Sequence, residues 1–153
     1  MDPRPAKKKS KAALIWLALV GILVLATVAM FNALAGWKVP DSARKLQNPF
    51  PPTQANLQEG SEAYAKHCKS CHGVNGDGTG ERANQLSAMP SDFTDAHDMS
   101  RATDGELYWK ITHGRRPMPA FASKLTDKQR WELVDYIRTF AKKAAAQNPP
   151  AQP

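Results

Sequence analysis

The chain has 153 residues, of which 21 are Lys or Arg and 14 are Asp or Glu, and its formal net charge is +7. This length allows one modest domain with an appendage. The first eleven residues hold five of the basic residues and one of the acidic ones, so the remainder carries only about +3. So small an excess argues against a nucleic-acid-binding protein and indicates that the basic leader, residues 1–11, is a topology signal.

An uncharged apolar run follows the leader. Residues 12–35 contain no charged side chain, and as a helix at about 1.5 Å per residue they would cross a ~30 Å hydrocarbon core. The positive-inside rule then predicts a single-pass protein of the bacterial cytoplasmic membrane, with its domain on the periplasmic side. Ala33-Leu34-Ala35 also fits a signal-peptidase site, so a cleaved signal peptide is the alternative. The run is longer than the apolar core of an ordinary signal peptide, which favours the anchor.

Residues 36–55 are predicted to form a semi-extended tether with a reach of tens of ångströms. The segment lacks a sustained hydrophobic period and is rich in proline, at Pro40, Pro49, Pro51 and Pro52. The alternative is that Trp37 and Phe50 pack on the domain or on a partner.

The remaining domain, residues 56–146, is predicted to be all-α with three short helices. The first begins near Asn56 and runs into a cysteine motif, with Gly60 and Tyr64 on one face. The second begins at Thr103, where residues 103–106 form a capping-box pattern, and ends at Gly114. No alternating strand pattern or internal repeat is found.

The third helix begins at Thr126, where Gln129 completes a second capping box. Its apolar residues recur at helical spacing, namely Leu133, Tyr136, Ile137 and Phe140. The Pro-rich end of the chain, residues 147–153, is predicted to be disordered.

The cysteine motif is Cys68-Lys69-Ser70-Cys71-His72, which has the C-x-x-C-H spacing of covalent haem attachment. These are the only two cysteines, which excludes Cys₄ zinc and iron–sulfur sites. A Cys₂His₂ zinc site would need a second histidine pair, which His97 and His113 do not form. A thioredoxin-type pair would need flanking strands. The motif therefore predicts one covalent haem c, with thioethers to Cys68 and Cys71 and with His72 as an axial iron ligand.

Met118 is the candidate for the second axial ligand. Pro117 and Pro119 flank it and are expected to hold its loop extended. Met89 and Met99 are expected to fill the core instead. His97 and His113 are the alternative axial donors.

His/Met ligation leaves no open coordination position, so one-electron transfer is the chemistry that remains. The alternative is a haem-based sensor or a peroxidase-type enzyme in which Met118 is displaced. No signalling module and no acid–base pair is evident in the sequence to support either.

Residues 56–143 resemble the monohaem class I cytochromes c. The resemblance rests on Gly60 and Tyr64, the C-x-x-C-H-G motif, residues 76–78 (GDG), residues 105–114 (GELYWKITHG) and residues 118–121 (MPAF). It implies an electron carrier, not an enzyme, in which the first and last helices cross closely at Gly60 and Tyr64 faces Leu133 and Tyr136. It also implies that a backbone carbonyl near a proline, here Pro90, accepts a hydrogen bond from His72.

The resemblance further implies brief, electrostatically guided contacts with redox proteins. The candidate docking residues are Lys66, Lys69, Arg115, Arg116 and Lys124. The expected partners are a quinol-oxidising complex on one side and a terminal oxidase, reductase or reaction centre on the other. The protein would act as a tethered shuttle or as a subunit of such a complex, with no nucleic acid and no small-molecule substrate.

Overall fold

A computed structural model describes residues 11–34 and 36–147 of the chain. The chain divides into two units, which meet between Lys38 and Val39. The predicted leader lies outside the described residues except for Lys11, and so does the predicted tail except for Gln147.

The first unit contains one helix, α1 (Lys11–Leu34). Its segment Lys11–Phe31 is long and apolar enough to cross a membrane. A signal sequence near an N-terminus has the same length and composition, so this helix agrees with both interpretations of the apolar run.

The described residues of the second unit form helices joined by loops. Its helices are α2 (Asp41–Arg44), α3 (Gln54–His67), α4 (Lys69–His72), α5 (Ala96–Arg101), α6 (Asp104–His113) and α7 (Asp127–Gln147), with a 3₁₀ turn at Ala83–Gln85. The part of the chain that the structure describes contains no strand, only an isolated bridge between Arg115 and Met118. The prediction of an all-α fold is confirmed. The short helices α2 and α5 were not predicted, because four and six residues are too few to show a hydrophobic period.

The capping patterns mark the helix ends correctly. Thr103 precedes α6 and its hydroxyl accepts a hydrogen bond from the Glu106 amide at 3.1 Å. Before α7, the Gln129 side chain accepts from the Thr126 amide at 3.0 Å and the Thr126 hydroxyl accepts from the Gln129 amide at 3.2 Å. At α7 the full capping box pairs two backbone amides, those of Thr126 and Gln129. At α6 the Thr103 hydroxyl pairs one, that of Glu106.

Helices α3 and α7 cross at very short range. A Cβ added at Gly60 would lie 2.2 Å from the Glu132 carbonyl oxygen and 3.0 Å from the Tyr136 Cβ. One turn further along α3, the Tyr64 ring packs on Tyr136 and on Phe140, with centroid distances of 5.5 and 5.1 Å. The expected close crossing at Gly60 is therefore what the structure shows.

The core lies between α3, α6 and α7. Leu107 and Ile111 of α6 face Leu133 and Ile137 of α7 within one buried cluster. Met99 belongs to this cluster, as expected. Met89 does not, because it is 73% exposed, so the prediction that it fills the core is wrong.

Part of the predicted tether belongs to the second unit. Val39 and Ala43 are buried, and Phe50 packs against the core cluster. We call residues 39–50 the strap. Of the two interpretations of residues 36–55, the packing of Phe50 matches the alternative. Val39 and Ala43 are covered as well, and polar residues of the strap reach α6 and α7.

Replacing Gly60 by alanine should destabilise the second unit by about 1–3 kcal/mol, because the new methyl group overlaps the backbone of α7. Thermal unfolding of the haem-loaded protein, followed by circular dichroism, measures the loss. Gly36→Ala is the matched control, since an added Cβ there meets nothing within 4 Å. Equal melting temperatures for the two variants would contradict the close crossing.

Candidate functional site

The cysteine motif lies at a break between two helices. The α3 helix ends at His67, and α4 begins at Lys69, so Cys68 stands at the junction. The Cys68 carbonyl accepts hydrogen bonds from the Cys71 amide at 3.1 Å and from the His72 amide at 2.9 Å, which places both thiols on one turn. Burial raises the pKa of Cys68 to about 12.

His72 is held by one hydrogen bond and one stacked ring. Its Nδ1 lies 3.2 Å from the Ser91 carbonyl oxygen, and its ring stacks on Phe93 at a centroid distance of 4.6 Å. A carbonyl can only accept, so Nδ1 carries the proton and Nε2 keeps a free lone pair. Burial lowers the pKa of His72, against the smaller opposing effect of the Ser91 bond, and this favours the neutral imidazole that binds metals.

The acceptor for His72 is one residue beyond Pro90, so the expected carbonyl near this proline is present. Phe93, the ring that stacks on His72, was missed from the sequence. Its position two residues after Ser91 was the only available signal. A lone aromatic residue in a loop does not by itself indicate contact with a histidine 21 positions earlier.

The loop that follows His72 is fixed by α3 and α7. The Tyr64 hydroxyl donates to the Gly73 carbonyl at 2.8 Å, and Phe140 packs against Gly76. The Gly76 carbonyl accepts a hydrogen bond from the Phe93 amide at 2.6 Å. The loop after His72 is thereby tied to the crossing helices, and Phe93 is tied to that loop.

Met118 lies in a tight turn. The Arg115 amide donates to the Met118 carbonyl at 3.0 Å, and the Met118 amide donates to the Arg115 carbonyl at 2.8 Å. The prediction of an extended loop is wrong, because these two bonds close residues 115–118 on themselves. Two further bonds, from Phe121 to Ile111 and from Ala122 to Thr112, hold the turn against the end of α6.

The Met118 side chain is half-buried and packs against the core cluster, and so does Cys68. The two groups therefore border the same apolar interior. A thioether, two thiols and an imidazole with a free Nε2 are the donors that a covalent haem requires. The residues present fit that group.

Both alternative histidine ligands, His97 and His113, are exposed. The His97 Nδ1 lies 3.3 Å from Asp98. The His113 Nδ1 lies 2.9 Å from the Trp109 carbonyl in the same helix. His67 packs edge-on against Phe121 at 5.8 Å, and burial together with Lys66 and Lys124 lowers its pKa.

All five candidate docking residues are exposed. The Lys124 ammonium lies 5.8 Å from the centre of the Phe121 ring, and Phe121 is three residues from Met118. Arg115 and Arg116 lie within the Met118 turn itself. Lys66 and Lys69 flank Cys68 along the chain, so these charges lie close in sequence to the predicted haem-binding residues.

A family model described as cytochrome C oxidase, cbb3-type, subunit III, matches residues 55–137. The chain belongs to this cytochrome c family. Cytochrome c6 of Parathermosynechococcus lividus is 28% identical over 92 residues, which are 60% of this chain and 99% of the relative. Cytochrome c6 of Picosynechococcus sp. is 25% identical over 57% of this chain and 75% of the relative.

Among solved structures, a chain of the Kuenenia stuttgartiensis reducing HAO-like protein complex Kustc0457/Kustc0458 superposes with a TM-score of 0.56 at 29% identity. The match covers 72% of the cytochrome and 53% of that chain, so the cytochrome corresponds to about half of it. Membership of this family identifies a class I cytochrome c, an electron-transfer protein that carries covalently bound haem c.

Tyr64→Phe should lower the free energy of unfolding of the haem-loaded cytochrome by about 1–2 kcal/mol, because the buried Gly73 carbonyl loses its partner. Denaturant unfolding followed by the haem absorption measures this change. Tyr136→Phe is the control, since its hydroxyl has no hydrogen-bond partner among the described residues. A loss no larger than that of the control would argue against the role of this bond.

Proposed function

We propose that this electron-transfer protein holds a single haem c through Cys68, Cys71, His72 and Met118. We propose further that it is anchored in the cytoplasmic membrane by α1, with the second unit on the periplasmic side. The hydrogen bond of His72 supports the ligand set best. Its Nδ1 donates to the Ser91 carbonyl, which leaves the lone pair of Nε2 available for a metal.

His72 is prepared as a strong and oriented ligand. The Ser91 bond selects the tautomer and raises the basicity of Nε2, as carbonyl partners do for metal-bound histidines. The Phe93 ring prevents the imidazole from turning about its bond to Cβ. The ligand thus needs little rearrangement when the charge of the metal changes.

Met118 would complete the coordination from the far side. Its turn is closed by backbone hydrogen bonds and joined to α6, so the backbone that carries the thioether is fixed in place. Haem c, when bound, supplies an iron that gains or loses one electron, and methionine ligation raises its potential. Two firmly held ligands leave no position for a substrate, which suits electron transfer and opposes enzymatic turnover.

The surroundings of the site are apolar. Phe93, Met99, Leu107 and Phe121 are all buried in the cluster on which Met118 and Cys68 pack. These side chains would limit the access of water to the ligands. Limited access of water would keep the reorganisation energy of electron transfer low.

We propose that electrons pass between a quinol-oxidising complex and a terminal oxidase, reductase or reaction centre. The family description names an oxidase subunit, and the solved relative is a chain of a protein complex. Both observations support a role in which this protein exchanges electrons with other redox proteins. The exposed basic residues beside the Met118 turn supply a surface for acidic partners.

Met118→Leu should abolish the long-wavelength band of methionine-ligated ferric haem and should open the ferrous form to carbon monoxide. The reduction potential should fall by on the order of 100 mV, within the ~0.8 V range that axial ligands control. Visible spectra and redox titration of the full-length protein measure these changes. Met89→Leu is the matched control, because Met89 is exposed. Carbon monoxide binding by the unaltered protein would instead favour a sensor or a peroxidase.

Reversing both charges at Arg115 and Arg116 to glutamate should slow reduction of the cytochrome by membranes of the source organism and flatten its dependence on salt. Stopped-flow absorbance on addition of a quinol measures the rate. Lys45→Glu with Lys142→Glu is the control, since it makes the same charge change in a groove beside the strap. An unchanged rate in the arginine variant would remove these residues from the docking surface.

A further inference from the structure

The strap is held to the second unit by buried and charged contacts together. Val39 and Ala43 are 8% and 6% exposed, and Phe50 packs on the core cluster. The Asn48 amide donates to the Asp135 carboxylate of α7 at 3.0 Å. The strap is therefore bound by apolar contacts at both ends and by polar ones between.

An ion pair joins the middle of the strap to α6. Arg44 pairs with Glu106, which is only 8% exposed and which also accepts from Lys110 at 2.8 Å. A carboxylate so deeply buried depends on its partners, and without Arg44 only Lys110 would balance its charge. Release of the strap would separate Arg44 from Glu106, so this ion pair stabilises the packed position of the strap.

The start of α6 is also shaped to receive the strap. A Cβ added at Gly105 would lie 2.1 Å from the Ala43 carbonyl oxygen and 2.8 Å from that of Leu46. Only a residue without a side chain allows the two backbones to approach so closely. This contact shows that the strap is an integral part of the unit.

We infer that the packing of the strap limits the connection between the proposed membrane helix and the packed domain to at most residues 35–38. The apolar helix ends at Leu34 and the packed strap begins at Val39. At about 3.6 Å per residue this connection extends at most ~18 Å, whereas a free segment of residues 36–55 would extend about 70 Å. The inference rests on the proposed anchoring by α1.

A short connection selects the kind of partner. The haem domain stays near the membrane surface and does not reach partners tens of ångströms away. Its haem is therefore placed to exchange electrons with redox groups at the membrane surface, such as those of an integral membrane protein held beside it. Such confinement gives a high effective concentration toward that neighbour.

The reach is measured with full-length, haem-loaded cytochrome in phosphatidylcholine vesicles that contain a lipid with a fluorescent headgroup. The haem quenches fluorophores near it, so quenching reports its distance from the membrane surface. A variant with twenty Gly and Ser residues inserted after Lys38 adds an r.m.s. length of about 25 Å, and its quenching should fall at least about twofold. Equal quenching by the two proteins would overturn the inference.

The packing of the strap on the second unit is tested by the variant Arg44→Glu. Lys45→Glu is the matched control, because Lys45 is exposed and its substitution changes the charge by the same amount. Amide hydrogen exchange should show residues 39–50 protected in the unaltered protein and in the control. In Arg44→Glu this protection and the quenching should both fall. If the amides of residues 39–50 in the unaltered protein exchange as fast as those of an unfolded chain, the inference is overturned. If Arg44→Glu does not fold, the insertion variant still tests the inference.

The intact mass of the membrane-extracted protein separates this inference from the proposed function. A chain that begins at Gly36 would disprove the anchor, and the short reach with it, without affecting haem ligation. An uncleaved chain whose quenching matches that of the insertion variant would disprove the short reach alone. An uncleaved chain with stronger quenching supports it.

Discussion

The approach of α3 to α7 at Gly60 is the constraint on which the site depends. The two helices touch backbone to backbone, which a side chain at this position would prevent. Because they touch, Tyr64 of α3 and Phe140 of α7 reach the loop that follows His72. That loop in turn holds Phe93, whose ring stacks on His72. The orientation of the proposed ligand His72 thus depends on the absence of a side chain at Gly60, where the two helices cross.

Helix α6 connects the two functional features of the cytochrome. Its first turn receives the strap, through Gly105 and Glu106. Its C-terminal end holds the segment after Met118, because the Ile111 and Thr112 carbonyls accept hydrogen bonds from the Phe121 and Ala122 amides. One rigid helix therefore joins the strap to the proposed axial ligand. We expect that the packing of the strap and the geometry of the proposed ligands depend on the same element.

The exposed and the buried charges have different roles. Arg115, Arg116 and their neighbours are in water, where salt screens them and where they influence encounter more than stability. Arg44 and Glu106 are paired at the edge of the core, where the loss of one partner is costly. A charge reversal in the first group should change rates, whereas one in the second should change structure.

The sequence by itself determined the features that are local. The cysteine motif, the two capping boxes and the apolar periods of α3, α6 and α7 involve residues close in the chain, so their chemistry is visible in the order of residues. Only the tertiary structure decided that the Pro-rich segment is a strap, since its partners lie 62 and 87 positions away. It also decided that Met89 is exposed and that the Met118 loop is a closed turn. These depend on contacts and backbone hydrogen bonds that no local pattern records.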